Sequence, residues 1–418
     1  MITQFTLENG LRVVLDTMKE VSSVAIGIWV KAGTLDENDQ QAGLAHLLEH
    51  MAFKGTSKRS ARDIAIELEN VGASLDAATS HQRTTYSSRV LKSDLDKVCD
   101  LISDILINPV FDNDELSREK EVVIQEIAEA ADDPDDIIFE LLSEKAWGSH
   151  PLGKAILGTQ NSVRAHTPQG LTDFMNSHYS PDRMILSIAG NVDVREAERL
   201  AKTYFSQFSN INNSPQRTKP RYQGGFVYED KPIAQSHIAI AYPGFGYDNP
   251  DYIAGRLFAD VLGGGMSSRL FQTIREEHGL AYSVYAYADI FENAGLIGAF
   301  IGTDPDQAQR SVDLMVGEIK KMSDSISEAE LDRAKRLMKS SMIMSRESVQ
   351  VRAEINAGQI MTFNELRDEQ TILDRIMNVS VNDIQDIATH LLAGQAPSLS
   401  VVGPLRSPDL YENLCNLN

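Results

Sequence analysis

The residues best suited to chemistry lie between positions 43 and 56, in the segment GLAHLLEHMAFKGT. His46, Glu49 and His50 follow helical spacing, so their side chains share one face of a predicted helix. Two imidazoles at positions i and i+4 can bind one tetrahedral zinc ion, and Glu49 lies beside them to act on a metal-activated water. The opposite face has apolar residues at the same spacing and is expected to be buried. These are Leu44, Leu47, Leu48 and Met51.

The alternative interpretation is a solvent-exposed helix face that contains two histidines by coincidence. With nine histidines in 418 residues, the pattern H-x-x-E-H is expected by chance in about one such chain per hundred. The apolar stripe lies roughly 160° from the histidines, at ~100° per residue, which favours a metal site over coincidence.

A catalytic zinc ion usually has three protein ligands and one open position, so a third ligand is needed. Carboxylates of the helix predicted over residues 114–130 are the candidates. Glu119 and Glu126 are seven residues apart and share one face, at the boundary between the apolar stripe and solvent. Glu121 and Glu129 point more towards solvent. Taken alone this helix is a weak indication, because acidic helices are common.

With these residues the sequence resembles the inverzincin metallopeptidases of the pitrilysin and insulysin type. It is most similar to their short-chain branch, which is like the mitochondrial processing peptidase. The family motif H-x-x-E-H matches His46, Glu49 and His50, and the family's third ligand, a glutamate about 76 residues further on, corresponds to Glu126. A supporting glutamate seven residues earlier corresponds to Glu119, which by analogy orients a ligand. The resemblance implies one Zn2+ per chain and a zinc endopeptidase with Glu49 as general base.

The resemblance extends into the second half of the chain, to the stretch RLFQTIREEHGLAYSV. There it implies that Arg275 and Tyr282 hold the substrate backbone and help to polarise the scissile carbonyl. From the residues alone, this stretch predicts only a helix that ends at Gly279 and a following strand.

Further substrate contacts are implied near the metal motif. Phe53 follows the spacing of His46, Glu49 and His50 and is a candidate pocket residue. The strand over residues 73–80, with Ala77 and Ala78, is the candidate for pairing with substrate. The family often has Asn before the alanine that corresponds to Ala77, whereas this chain has Asp76 there.

The resemblance also implies partners. We expect peptides or unfolded segments as substrates, with basic peptides favoured if acidic residues line the site. We expect a homodimer with composite active sites, in which Arg275 and Tyr282 reach the zinc site of the other copy.

Charge and composition exclude several classes of function. The chain has 39 basic and 60 acidic residues, a formal net charge of −21, so neither nucleic-acid binding nor attachment to anionic membranes is expected. No stretch approaches the ~18 apolar residues that span a bilayer. The two cysteines make no disulfide framework. A soluble, cytoplasmic protein is expected.

The fold class is predicted from the order of the elements. Strands and helices alternate irregularly and several strand pairs look antiparallel, which favours an α+β fold of two domains, each a mostly antiparallel sheet packed with helices. The predicted boundaries are 1–210 for the catalytic domain, 211–224 for a linker and 225–418 for the second domain. The segments DELSREKEVVIQEIAEAADDP and AELDRAKRLMKSSMIMSRESV match in order and spacing, which indicates an internal duplication. The position equivalent to Glu126 is then Ser341, so the second copy is degenerate.

Two other functions remain open from the sequence. The chain could be a non-catalytic, metal-binding assembly subunit of a processing-peptidase-like complex, or a zinc hydrolase of non-peptide amides. Family members that lose catalysis usually lose metal ligands, whereas all of them are present here.

Overall fold

The computed structural model describes residues 2–209, 216–394, 396–406 and 411. The strands are β1 Ile2–Thr6, β2 Arg12–Thr17, β3 Ser23–Val30, β4 Ser74–Thr79, β5 Thr84–Leu91, β6 Met184–Gly190, β7 Gly225–Glu229, β8 Ser236–Gly244, β9 Ala281–Ile290, β10 Gly295–Thr303 and β11 Ser398–Val402. The α-helices are α1 Leu44–Ala52, α2 Ala61–Asn70, α3 Leu95–Ile107, α4 Asn113–Asp132, α5 Pro134–Trp147, α6 Gln160–Ala165, α7 Pro168–His178, α8 Val194–Phe205, α9 Tyr252–Gly263, α10 Ala308–Lys321, α11 Glu328–Ser345, α12 Val349–Phe363, α13 Glu369–Asn378 and α14 Val381–Ala393.

The chain folds into two compact units. Within the described residues, the first unit comprises Met1–Ala128, Ala155–Arg217 and Ile343–Leu366. The second comprises Glu129–Lys154, Thr218–Met342 and Arg367–Asn418.

The two sheets have the same strand topology. In the first unit the order is β1-β2-β6-β3-β5-β4, and in the second it is β7-β11-β8-β10-β9. If β1 is left out, the five strands of each sheet follow the same spatial order: the first strand along the chain, then the fifth, second, fourth and third. The β2–β6 and β11–β7 pairs are parallel, and the remaining pairs are antiparallel. This agreement confirms the predicted α+β fold of two duplicated, mostly antiparallel domains.

The predicted domain boundaries differ from these units in two helices. Helix α5, from the first half, packs on β8 and β11, while α12, from the second half, packs on β3 and β6. The hydroxyl of Ser187 in β6 donates to the carbonyl of Ala353 at 2.7 Å, and that of Ser400 in β11 donates to the carbonyl of Ile138 at 2.9 Å. Each unit therefore contains one helix from the other half of the sequence. Residues 211–215 of the predicted linker lie outside the described residues.

The first unit's sheet is covered on both faces. Buried residues of α1, α3, α7 and α8 pack with one set of strand residues in the main core, which includes Leu15, Ile26 and Ile28. The residues between these on the same strands, such as Val14 and Trp29, pack with α12. In the described ranges no helix is both long and apolar enough to cross a bilayer.

Candidate metal centre and active site

Helix α1 carries the H-x-x-E-H motif and is fixed at its first turn. Gly43 precedes the helix with φ +80°, and a Cβ there would lie 2.4 Å from the carbonyl oxygen of Leu157, so both backbone and space require glycine. The carboxylate of Glu37 accepts hydrogen bonds from the amides of Gly43 (3.1 Å) and Ala45 (2.7 Å). Negative charge at a helix N-terminus is favourable, because it faces the unpaired amides there.

The apolar face of α1 is buried as predicted. Leu44, Leu47, Leu48 and Met51 are each at most 1% exposed. Their burial sets the rotation of the helix, which directs His46 and His50 to the other side.

The structure brings His46, His50 and Glu126 together, with one nitrogen or oxygen of each within 4.8 Å of the others. Nε2 of His46 lies 3.7 Å from Oε1 of Glu126, and Nε2 of His50 lies 3.6 Å from Oε2. These separations are too long for hydrogen bonds. Two ligands of a tetrahedral zinc ion, each about 2.0–2.2 Å from it, are about 3.4 Å apart. The three residues therefore have the spacing of ligands to one metal ion.

Glu119 fixes the orientation of His50. Its Oε2 lies 3.1 Å from Nδ1 of His50 and its Oε1 lies 2.6 Å from Nζ of Lys54. The Glu119 side chain is only 8% exposed. Because the carboxylate accepts the proton on Nδ1, the lone pair of His50 is on Nε2, the atom that faces Glu126. A carboxylate behind a histidine ligand is a common second layer of zinc sites.

His46 is also suited to metal binding. Burial, and secondarily the charge of His50, lower the pKa of His46 from 6.5 to about 4. At neutral pH its ring is therefore uncharged and has a free lone pair. Nδ1 of His46 is buried and, within the described part of the chain, has no hydrogen-bond partner. A bond from Nε2 to a metal would offset part of the cost of burying this ring. The donor set of two imidazoles and one carboxylate fits zinc.

Glu49 lies on the same face of α1 but is bound differently. Oγ1 of Thr79 donates to Oε2 of Glu49 at 2.5 Å. Burial raises the pKa of Glu49, and the hydrogen bond from Thr79 opposes that rise. A carboxylate with a raised pKa is a better proton acceptor near neutral pH than an ordinary one, as a general base requires.

The three predicted substrate contacts of the first half, Phe53, Ala77 and Ala78, lie on or next to elements of the first unit. Ala77 and Ala78 lie on β4, which is an edge strand paired only with β5 among the described strands. Phe53 ends α1, and its ring centroid is 6.4 Å from that of the buried Tyr86. An edge strand can accept an extended peptide through its unpaired backbone groups.

Arg275 and Tyr282 lie in the second unit, next to each other. The guanidinium carbon of Arg275 is 4.5 Å from the ring centroid of Tyr282 and 4.8 Å from that of Phe271. Nη1 of Arg275 donates to the carbonyl of Tyr282 at 2.8 Å, and Tyr282 is 79% exposed. The helix predicted here is a π-helix, Phe271–Glu277, a form that often occurs at functional sites.

Two residues of the site were missed by the sequence predictions. Lys54 follows His50 by four residues, a spacing that could have suggested a shared partner. Thr79 gave no sequence signal, because its role depends on β4 packing beside α1. The other histidines for which the structure shows a hydrogen bond lie outside this cluster: His81, His150, His166, His178, His237 and His278.

Two family models match this chain, one in each half of the sequence. Residues 12–160 match the family described as insulinase (peptidase family M16), and residues 166–338 match the peptidase M16 inactive domain. The chain is 36% identical over 403 residues to an uncharacterized zinc protease of Rickettsia bellii, covering 95% of this chain and 96% of that protein. It is 32% identical to an uncharacterized zinc protease of Bacillus subtilis, YmxG, covering 97% and 98%. This chain belongs to peptidase family M16.

Solved structures show the same fold. A protease from Helicobacter pylori superimposes with a TM-score of 0.89 at 22% identity, covering 97% of this chain and 99% of the other. A Pseudomonas fluorescens structure described as a peptidase M16 inactive domain gives a TM-score of 0.88 at 20% identity, covering 97% and 98%. The resemblance stated from the sequence is thus confirmed at the level of family and fold.

Proposed function

We propose that this M16 chain is a zinc-dependent endopeptidase that cleaves peptides or unfolded segments. The observation that carries the proposal is the grouping of His46, His50 and Glu126 at the spacing of zinc ligands. Glu49 lies on the same helix face as the two histidines but accepts a hydrogen bond from Thr79 and is not part of this group. When bound, zinc supplies a Lewis acid and lowers the pKa of a water molecule from 15.7 towards ~7.

The protein's own residues would then perform the remaining steps. Glu49 takes the proton from the attacking water at its carboxylate and later delivers a proton to the leaving amine, so the enzyme ends unchanged. The edge of β4 binds the substrate as an additional strand, which requires an extended peptide. His50 is held in one tautomer by Glu119 throughout.

We further propose that Arg275 and Tyr282 of one copy act at the metal site of a second copy in a homodimer. Two observations support this proposal: Tyr282 is exposed, and its ring packs against the Arg275 guanidinium. The pair could therefore bind a peptide backbone or a developing oxyanion without rearrangement. Mixing Glu49→Gln protein with Arg275→Ala protein tests this pairing, because one composite site of the mixed dimer would be intact. After subunit exchange in an equal mixture, about half of the dimers are mixed and each has one intact site, so activity restored to about a quarter of wild type is expected. A mixture as inactive as either parent contradicts pairing between copies.

The direct test of the peptidase is the variant Glu49→Gln, assayed with a diverse peptide library after zinc loading. We expect zinc to be retained and cleavage to fall at least 100-fold, since general bases contribute about 10²–10⁴ in rate. Glu121→Gln is the matched control, because Glu121 lies on α4 with its side chain exposed. Zinc binding without cleavage by the wild-type protein would instead favour the non-catalytic assembly subunit. Cleavage of amides but of no peptide would favour a different hydrolase.

A further inference from the structure

One oxygen of the Glu49 carboxylate is held by a residue from another element. Thr79 is the last residue of β4, and its Oγ1 donates to Oε2 of Glu49 at 2.5 Å. Among the described residues, this is the hydrogen bond that the structure shows for the Glu49 side chain. Because the Thr79 hydroxyl holds Oε2, Oε1 is the oxygen available to accept a proton.

Thr79 is itself firmly placed. Along β4 exposure alternates, so that Leu75, Ala77 and Thr79 share the more buried side of the strand. The turn that follows is anchored, because the carbonyl of Ser80 accepts from the amide of Thr34 at 3.3 Å and the amide of Ser80 donates to the carbonyl of Arg83 at 2.8 Å. A group whose support is rigid can define the orientation of its partner.

The same strand is the edge at which an extended peptide would add. The hydroxyl that orients Glu49 is thus one residue beyond Ala78 on that strand. Strand β4 would therefore position both the substrate peptide bond and the Glu49 carboxylate that acts on it. Small errors in the relative placement of reacting groups reduce rates by as much as ~100-fold.

We propose that Thr79 is a positioning residue for the general base: its hydroxyl fixes Oε2 of Glu49 and directs Oε1 towards the water, in register with a peptide docked on β4. The inference rests on the peptidase function proposed above. Thr79 touches Glu49 rather than the reacting atoms, so its removal should alter the rate of the chemical step more than the binding of substrate.

The test compares Thr79→Val, which keeps the shape but removes the hydroxyl, with Thr79→Ser, which keeps the hydroxyl. Thr85→Val is the control, because Thr85 lies opposite Ala78 on β5 and its hydroxyl donates a long hydrogen bond, 3.4 Å, to the Ala78 carbonyl. For Thr79→Val we expect kcat to fall about 10–100-fold, with KM within about 3-fold of wild type and zinc content unchanged. Thr79→Ser and Thr85→Val should stay within about 3-fold of wild type in kcat.

A second measurement does not depend on activity. A crystal structure of metal-free Thr79→Val protein should show Glu49 in more than one rotamer, whereas the Thr79→Ser protein should keep the observed one. If Thr79→Val does not fold, Thr79→Ala against Thr79→Ser provides the same comparison.

Three results would overturn the inference: a Thr79→Val protein with kcat within twofold of wild type, an equal loss in Thr79→Ser, or a loss confined to KM. Failure of the proposed function has a different signature. In that case the zinc-loaded wild type cleaves no peptide, or Glu49→Gln cleaves as fast as wild type, whatever happens at Thr79.

Discussion

Replacing Glu119 by Gln should weaken zinc binding without touching a metal ligand. In the wild type one oxygen of Glu119 accepts the proton of His50 Nδ1 at 3.1 Å and the other accepts from Lys54 at 2.6 Å. A glutamine has one acceptor and one amide donor, so in either orientation its NH2 group faces His50 or the Lys54 ammonium. The variant therefore keeps the volume of the side chain and loses one of two buried contacts.

The size of the effect follows from the role of such outer carboxylates. Their removal typically costs 10–100-fold in metal affinity, which is about 1.4–2.7 kcal/mol. We expect a loss within this range, because the Glu119 side chain is only 8% exposed and water cannot readily replace the contact that is lost.

The assay is competition for zinc against a chromophoric chelator, at fixed pH and ionic strength. Glu121→Gln, on the same helix with its side chain in solvent, should bind zinc as wild type does. If Glu119→Gln binds zinc within threefold of wild type, or if Glu121→Gln weakens zinc binding equally, Glu119 does not support the metal ligand His50.

Two further predictions concern stability. Burial, and the charge of Arg183, lower the pKa of His178 from 6.5 to about 4. The neutral ring therefore stabilises the fold fully above pH 6.5, and about 3 kcal/mol of this stability is lost as the pH falls towards 4. In His178→Gln the free energy of unfolding should depend less steeply on pH in this window, and an unchanged slope would contradict the prediction. Gly43→Ala should destabilise by at least about 1–3 kcal/mol, because of its positive φ and the Leu157 carbonyl, whereas Gly317→Ala, in open space on α10, should be neutral or stabilising in chemical denaturation.

Features set by local spacing could be predicted from the sequence. His46, Glu49 and His50 lie within two turns of one helix, so the burial of its apolar stripe alone decides where they point. Spacing made Glu126 one of two candidate ligands on its helix, and only the family resemblance selected it, because the distance between α1 and α4 depends on packing. The duplication and the mostly antiparallel sheets followed from the order of the elements, whereas the strand order within each sheet was not predicted.

Features set by packing between distant segments could not be predicted from the sequence. Helices α5 and α12 are only weakly amphipathic, and nothing in either predicts which sheet it covers. The same limit applies to the hydrogen bond between Thr79 and Glu49, which joins elements 30 residues apart. The π-helical form at Arg275 was not predicted, because the residue pattern of this stretch indicates a helix without distinguishing its hydrogen-bond pattern.

Whether this chain is a zinc peptidase is tested most directly by a zinc titration of the metal-free protein, with cleavage of a peptide library as the readout. If His46, His50 and Glu126 hold a catalytic ion, the rate should rise in proportion to added zinc and level off at one equivalent per chain. A rate that does not depend on zinc, or no cleavage at any zinc content, would contradict the account.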